Sequence, residues 1–294
     1  MLPKHTRFLD PKSDVVFKKI FGQHPDLMKS FLNSILPLPE GQIIEHLEYL
    51  NPEQTPRIPT MKNTIVDVKC TDQYGRIFIV EMQLQWAVNF TKRLLFGVSK
   101  AFVQQLDKGE DYHSLCPVYG LGIVNDIFDD KSEDWFHHYR SINVKKPEKI
   151  LEGLELIFIE LPKFRPQTWQ EKKVGILWLR FLKEIGEKTQ SIDDDFFSQP
   201  DLSKALELSQ ESAYSKTELE DYDRYWDAIS TQKTYIHDFF TKGKLEGKLE
   251  GKLEGKIESK LDIARKLLEM GMDKAKIAQA TELSLEQIKS LQRL

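Results

Sequence analysis

Two carboxylates that flank a turn are the side chains in this sequence best suited to chemistry. The segment "NTIVDVKCTDQYGRIFIVEMQLQW" is typical of a β-hairpin, with Asp67 before the turn and Glu81 after it. A three-residue loop that has Gly75 in the left-handed conformation predicts that Asp72 lies opposite Arg76. Because the strands then continue residue by residue, the same register predicts that Asp67 lies opposite Glu81.

Two directly opposed carboxylates indicate a metal site. Their Cβ atoms would be about 5 Å apart, so the charges repel unless one carboxylate is protonated or a cation lies between them. Mg²⁺ prefers such oxygens and keeps several waters, one of which can attack a phosphodiester once the metal lowers its pKa. Residue alternation predicts that one face of the hairpin carries Ile65, Asp67, Lys69, Glu81 and Gln83. On that face Lys69 and Gln83 would lie within reach of a scissile phosphate.

A plainer interpretation of the two carboxylates stays open at this point. Hairpins at a protein surface commonly carry solvated Asp and Glu side chains that bind nothing. The neighbouring stretches "TIVDV" and "IFIVEM" are apolar and rich in β-branched residues, which indicates interior strands. Because a buried charge is costly without compensation, this context favours a cation without excluding the plainer interpretation.

The segment before the hairpin predicts two helices that could add residues to this site. Apolar residues recur at helical spacing in "DPKSDVVFKKIFGQHPDLMKSFLNSILP", interrupted by Gly22 and Pro25. Either Ser13 or Asp14 can cap the first helix. The Pro- and Asn-rich stretch that follows is predicted to be a loop.

The segment after the hairpin continues the mixture of helices and strands. A long helix is predicted in "TKRLLFGVSKAFVQQLDKG", ending at Gly109. Strands are predicted in "CPVYGLGIVN", "YRSIN" and "LELIFIELP", and residues 168–240 are predicted to be mostly helical. Together these elements predict an α/β domain over residues 1–240.

Composition narrows the class of protein. The chain has 294 residues, of which 40% are hydrophobic and 30% charged, so it can form a sizeable core, and its net charge is −4. A DNA-binding surface would therefore have to be a local basic patch. The two cysteines, Cys70 and Cys116, form no disulfide framework and fit a reducing compartment. Without an apolar signal segment or a long apolar run, the sequence predicts a cytoplasmic protein that has no membrane partner.

A tetrapeptide repeat, "GKLEGKLEGKLEG", follows the α/β domain and lies in a predicted spacer over residues 241–258. In a helix its lysines would face lysines and its glutamates would face glutamates four residues apart, and each such pair is mildly destabilising. Each glycine costs about a further 1 kcal/mol. A helix is therefore credible if its leucines pack on a partner helix. A flexible or half-helical spacer is the alternative.

The C-terminal residues 259–294 are predicted to form a small all-α module. One helix ends at Gly271, Asp273 can cap a second, and Ser284 with Gln287 forms a capping box for a third. This outline fits a helix-turn-helix that binds DNA. Glu282 nevertheless occupies the turn position that usually requires glycine. The alternative is a helical interaction module, through which the chain would form homo-oligomers.

The residues around the carboxylates resemble a known nuclease family. Asp67, a turn and "Glu81-Met82-Gln83" resemble the PD-(D/E)XK nuclease fold with its last lysine replaced by glutamine. The stretches "DPKSDVVFKKIFG", "LNSIL", "DVKCTDQYGRIFIVEMQ", "KGEDY" and "IELPKF" resemble the Rpn family of recombination-promoting nucleases, also described as PD-(D/E)XK family transposases. This similarity covers roughly residues 8–240. Lys-Glu-Gly-rich C-terminal repeats are also found in that family.

The resemblance implies a fold, an activity and a set of residues. The fold would be a restriction-endonuclease-like core, in which helices flank a mixed sheet, followed by the all-α tail. The activity would be Mg²⁺-dependent cleavage of DNA that promotes recombination or transposition, with Mn²⁺ as a second usable ion. Asp67 and Glu81 would bind the metal together with the Met82 carbonyl. Asp14 would join the site, although it could equally be a plain helix cap.

The glutamine at the lysine position leaves the mechanism open. Gln83 carries no charge and is no base near neutral pH, so it can only orient a water or bind a phosphate oxygen. The positive charge would then come from the metal, from Lys69 or from another residue. A protein that has kept the nuclease fold for DNA binding or regulation, with weak or no catalysis, is the alternative. Retention of two costly carboxylates argues against it.

Overall fold

A computed structural model of the chain separates into two compact units, Met1–Trp226 and Asp227–Leu294. The residues that the structure describes are 7–54, 64–107, 109–166 and 173–291. The prediction of a domain over residues 1–240 followed by a spacer and a tail is a division by sequence character, and it stays a prediction. In the described part of the chain no helix is both long and apolar enough to cross a membrane.

The first unit is built on a six-stranded mixed sheet. In spatial order its strands are β1 (Leu47–Tyr49), β4 (Val68–Asp72), β5 (Ile77–Gln83), β6 (Val118–Val124), β8 (Lys146–Glu160) and β7 (Phe136–Asn143). The neighbours of β6 on both sides are parallel to it, and the remaining pairs are antiparallel. All seven residues of β6 are buried, as expected for a strand covered on both faces. A separate two-stranded sheet pairs β2 (Glu53–Gln54) with β3 (Thr64–Ile65).

Helices cover both faces of the six-stranded sheet, as the restriction-endonuclease-like fold predicts. On one face, α1 (Asp14–Phe21), α2 (Pro25–Ile35), α4 (Lys173–Glu184) and α5 (Pro200–Leu208) share a core with the sheet. On the other face, α3 (Phe90–Val103) packs its apolar side against strands β5, β6 and β8. The two cores take alternate residues of the same strands, since side chains alternate between the faces of a sheet.

Helix α3 (Phe90–Val103) lies close to the sheet because two residues of β6 have no side chain. A Cβ atom on Gly122 would lie 2.9 Å from ring atoms of both Phe90 and Phe158. A Cβ atom on Gly120 would lie 2.6 Å from Val98 of the helix. Both distances are too short for real carbon contacts, so the glycines determine how near α3 can approach.

The second unit contains most of a very long helix and the small module at the C-terminus. Helix α6 (Lys216–Glu269) begins in the first unit and is continuous through the tetrapeptide repeat. Helices α7 (Lys274–Thr281) and α8 (Leu285–Ser290) follow, and a small apolar core forms from Ala264, Ile277, Leu283 and Ile288. The predicted caps are confirmed, because Asp273 accepts from the Ala275 N–H and Ser284 forms a capping box with Gln287.

The repeat is helical in the structure although its charges and glycines disfavour a helix. Its apolar side chains are largely exposed, at 65% for Leu245, 61% for Leu249 and 55% for Leu253. These leucines, which form a stripe along the helix, are therefore not covered by any other part of the described chain. Of the two interpretations, the structure contains the helix, and a partner for the leucines stays a prediction.

Two predictions of local structure are wrong. Helix α3 ends at Val103 rather than at Gly109, because the Gln105 side chain leaves the helix and bonds both the N–H and the C=O of Cys116. Ile65 does not share the buried face of the hairpin and is 68% exposed. The chain bends at Asp67, which breaks the alternation, so Val66 instead packs in the core beneath α3.

Gly122→Ala tests the close approach of α3. The added methyl group overpacks the contact with Phe90 and Phe158, and we expect the free energy of unfolding to fall by about 1–3 kcal/mol. Chemical denaturation followed by circular dichroism measures the change. Gly247→Ala is the matched control, because its Cβ would meet no atom within 4 Å and alanine favours a helix. Equal loss of stability in both variants would contradict the packing role of Gly122.

Candidate active site

The β4–β5 hairpin has the predicted loop and register. Gly75 has φ +75°, and Val68 pairs with Val80 at the end of the ladder farthest from the turn. A buried ion pair secures the turn, since Arg76 Nε donates to Asp72 Oδ2 at 2.6 Å and the other Asp72 oxygen accepts from the Arg76 N–H at 2.9 Å. One more step of this register brings the bend at residue 67 opposite residue 81.

Asp67 lies at that bend and is held by the neighbouring strand. Its Oδ2 accepts a hydrogen bond from the Met82 N–H at 2.8 Å, so a side chain replaces the main-chain partner at this point of the ladder. Burial raises the pKa of Asp67 to about 6, the Met82 hydrogen bond opposes that rise, and the charges of Glu81 and Asp14 add to it. The charged form of this carboxylate is therefore disfavoured, and a nearby cation would stabilise it.

Glu81 is the more deeply buried member of the pair, with only 4% of its surface exposed. Its Oε2 accepts from Arg93 Nη2 at 2.9 Å. Its Oε1 is buried and has no hydrogen-bond partner among the described residues. Burial raises the pKa of Glu81, and the charge and hydrogen bond of Arg93 oppose that rise. One oxygen of Glu81 thus has a counter-ion, while the other is free to accept one.

Gln83 and Glu81 are joined by the same guanidinium. Arg93 Nη2 donates to Gln83 Oε1 at 2.8 Å as well as to Glu81. Arg93 lies in the first turn of α3, and its guanidinium carbon is 5.0 Å from the Phe90 ring centre. The sequence interpretation did not include Arg93. The available signal was the basic pair "KR" at the start of the helix that follows "EMQ", but its return to the strand depends on tertiary packing.

The N-terminal helix contributes one charged pair to the neighbourhood of Asp67. Asp14 forms an ion pair with Lys18 at 2.7 Å, and both charges influence the pKa of Asp67. Asp14 is not the helix cap, since the Ser13 side chain accepts from the Val16 N–H. The structure therefore brings Asp14 near Asp67, and its role in the chemistry stays a prediction.

Two further lysines, one just before α1 and one within it, bond groups of the protein itself. Lys12 is buried and its Nζ donates to the Leu182 carbonyl at 2.9 Å. Lys19 Nζ donates to the Ala213 carbonyl at 2.7 Å and pairs with Glu218 at 2.8 Å. Both lysines therefore anchor the fold.

Lys69 and Met82 complete the set of predicted site residues. Lys69 lies opposite Ile79 in the hairpin, and burial together with the charge of Lys100 lowers its pKa. Main-chain contact between Met82 and Asp67 runs through the N–H of Met82. The roles predicted for the Lys69 amine and the Met82 carbonyl stay predictions.

The oxygen atoms of the site fit a hard divalent cation that takes only a few of its ligands from the protein. Among the described residues no three side chains of His, Cys, Asp or Glu form a group that could hold a metal. Asp67 and Glu81 nevertheless present carboxylate oxygens, and Oε1 of Glu81 is buried without a partner. Mg²⁺ commonly binds one or two carboxylates and takes its remaining ligands from water and substrate phosphates. A two-carboxylate site is consistent with that behaviour.

Comparison with protein families matches two parts of the chain. The family described as PD-(D/E)XK nuclease family transposase matches residues 11–238, a stretch that includes the hairpin, α3 and every residue of the candidate site. The family described as Rpn/YhgA-like nuclease family, C-terminal HTH domain, matches residues 258–293. No curated protein and no solved structure gives a match. The resemblance inferred from the sequence is therefore confirmed at the level of the family.

Asp67→Asn tests the electrostatic strain in the metal-free protein. An acid whose pKa is raised from 3.8 to about 6 lowers stability as the pH rises through that interval, because the native state binds the proton more tightly. We expect the variant to be more stable than the wild type at pH 8 by on the order of 3 kcal/mol. Below about pH 4 the difference should disappear, since both side chains are then neutral.

Denaturant unfolding across this pH range, with and without Mg²⁺, measures the effect. Added Mg²⁺ should stabilise the wild type and not Asp67→Asn, since only the native wild type binds it. Asp130→Asn, at an exposed carboxylate, is the control and should show little pH-dependent change. A variant less stable than the wild type at pH 8 would contradict the strain at Asp67.

Proposed function

The chain belongs to the Rpn family of PD-(D/E)XK nuclease family transposases, and we propose that it is a divalent-metal-dependent DNA endonuclease. One observation carries the proposal. A half-buried carboxylate, Asp67, and a buried one, Glu81, lie at the end of a β-hairpin, and Glu81 Oε1 has no partner among the described residues. Buried carboxylate oxygens without partners are costly, so a protein retains them where a ligand completes them.

Each residue of the site has a distinct task in this proposal. Asp67 and Glu81 hold the cation, which we take to be Mg²⁺ with Mn²⁺ as a substitute. When bound, the cation supplies Lewis acidity at the scissile phosphate and lowers the pKa of a water ligand. The Met82 N–H fixes the Asp67 side chain by its 2.8 Å hydrogen bond. Hydrolysis forms a bond from a water oxygen to phosphorus and breaks one phosphorus–oxygen ester bond of the DNA strand.

The C-terminal module supplies a second contact with DNA in this proposal. Its match to a helix-turn-helix domain supports DNA binding over a purely helical interaction module. The turn before α8 has Glu282 in the left-handed conformation at φ 57°, which is where such turns usually have glycine. A glutamate there accepts backbone strain, and its side chain pairs with Lys260.

The biological setting follows from the family and not from the geometry. The family description names transposases, and we propose accordingly that strand cleavage promotes recombination or transposition. A cytoplasmic location stays a prediction.

Self-association through α6 is a further part of the proposal. The repeat presents Leu245, Leu249, Leu253 and Ile257 to solvent with exposed fractions of 49–65%. A second copy of the same helix would cover these side chains, and the intervening glycines would allow close approach.

Glu81→Gln tests the enzymatic proposal in a plasmid nicking assay with Mg²⁺, Mn²⁺ or EDTA. We expect wild-type nicking with either ion and none with EDTA. Glu81→Gln removes the charge that holds the cation and should abolish nicking while the folded structure and DNA binding remain. The control is Glu48→Gln, at an exposed position of β1, which should nick as the wild type does. A wild type that binds DNA without nicking it would instead support the non-catalytic alternative.

Leu249→Lys combined with Leu253→Lys tests self-association. The added charges should prevent the stripes from packing, so we expect sedimentation of the variant as a monomer and of the wild type as an oligomer. A chain that ends at Phe240 should behave like the variant. Unchanged assembly in either case would exclude α6 as the interface.

A further inference from the structure

The candidate site has Gln83 where the family motif has a lysine, and the positively charged side chain of Arg93 lies beside it. Gln83 follows Glu81 by two residues, where PD-(D/E)XK places its lysine. Arg93 reaches that position from α3 and donates through one nitrogen to both Glu81 and Gln83, at 2.9 Å and 2.8 Å. We propose that Arg93 supplies the missing positive charge and binds the scissile phosphate through the N–H groups that Glu81 and Gln83 leave unused.

The donors of the guanidinium are divided in a way that suits this role. Arginine has five N–H donors in a fixed plane, and the two contacts use Nη2 alone. Among the described residues, Nη1 and Nε of Arg93 have no hydrogen-bond partner, and 46% of the side chain is exposed. Three N–H groups on these two nitrogens are thus available, and each can donate a single hydrogen bond to a phosphate oxygen. Nη2 is therefore anchored to the protein, while Nη1 and Nε remain open to a substrate.

The anchoring explains why glutamine is suited to position 83. The amide oxygen of Gln83 accepts from the guanidinium at 2.8 Å and adds no charge. A lysine there would bring a like charge next to Arg93, and like charges at such a distance repel. A glutamate there would neutralise the charge that the phosphate needs. Gln83 is therefore a positioning residue for Arg93, and the two residues form one functional pair.

Glu81 has room for both cations in this arrangement. Its Oε2 bonds Arg93, whereas its Oε1 has no partner among the described residues. Lys69 is a weaker candidate for the missing charge, because it lies opposite Ile79 and, among the described residues, it is Arg93 that bonds Glu81 and Gln83. The described contacts therefore favour Arg93 over Lys69.

Moving the positive charge from position 93 to position 83 tests this proposal, which rests on the proposed nuclease activity. Arg93→Ala should lower the nicking rate by about 100-fold or more, as removal of one donor to a developing charge does in other enzymes. Gln83→Lys alone should also lower the rate, because its lysine competes with Arg93 for the same place. The double variant Gln83→Lys/Arg93→Ala should recover most of the activity, since it restores one cation at the site.

Lys92→Ala is the matched control for these variants. It removes one exposed positive charge from the same helical turn and should leave the nicking rate unchanged. Thermal unfolding of each variant shows whether Glu81 without its counter-ion still permits folding. Arg93→Lys keeps the charge without the fork and should fold, with a rate between those of the wild type and Arg93→Ala.

The salt dependence of DNA binding in EDTA gives a readout that does not need catalysis. Loss of one phosphate contact should reduce the slope of log K against log salt by about 0.9 for Arg93→Ala and leave it unchanged for Arg93→Lys. An unchanged slope together with wild-type nicking by Arg93→Ala would overturn the proposal, as would a double variant no better than Arg93→Ala. If the wild type does not nick DNA at all, the nuclease proposal fails, while the slope still decides whether Arg93 binds phosphate.

Discussion

The cost of desolvating two carboxylates at the end of one hairpin, Glu81 fully and Asp67 in part, is the constraint on which the first unit depends. Asp67 and Glu81 are desolvated, and burial is the largest cause of the rise in both pKa values. Neither carboxylate can be moved to solvent without a change of register, because the turn is fixed by the ion pair of Asp72 and Arg76. The charge must therefore be balanced from outside the hairpin. The structure provides one arginine and leaves one oxygen for a cation.

The packing of α3 is best understood as the means of bringing that arginine to the strand. Two glycines in β6 allow the helix to approach the sheet, and Phe90 fills the space above Gly122. Arg93 follows Phe90 by nearly one turn, so the same close contact that forms the core also directs the guanidinium at Glu81 and Gln83. Core packing and site electrostatics are consequently one problem in this fold. A change in the apolar contact would move the Arg93 guanidinium relative to Glu81 and Gln83, even though no polar residue had been replaced.

The sequence was sufficient for several features that depend on local chemistry. Gly75 and the residues around it predicted the turn and the register, and Asp273 and Ser284 predicted the caps of α7 and α8. The errors arose where distant residues decide. Helix α3 ends early because Gln105 bonds the main chain of Cys116, and the alternation at Ile65 fails because Asp67 turns its side chain to Met82. Arg93 could not be predicted for the same reason, since its contact requires the position of a whole helix.

The tetrapeptide repeat lies inside the continuous helix α6, so the length of this helix depends on the number of four-residue units. One unit more or less changes α6 by about 6 Å and rotates the residues beyond it by about 40° about the helix axis. The leucine stripe continues without a break in either case.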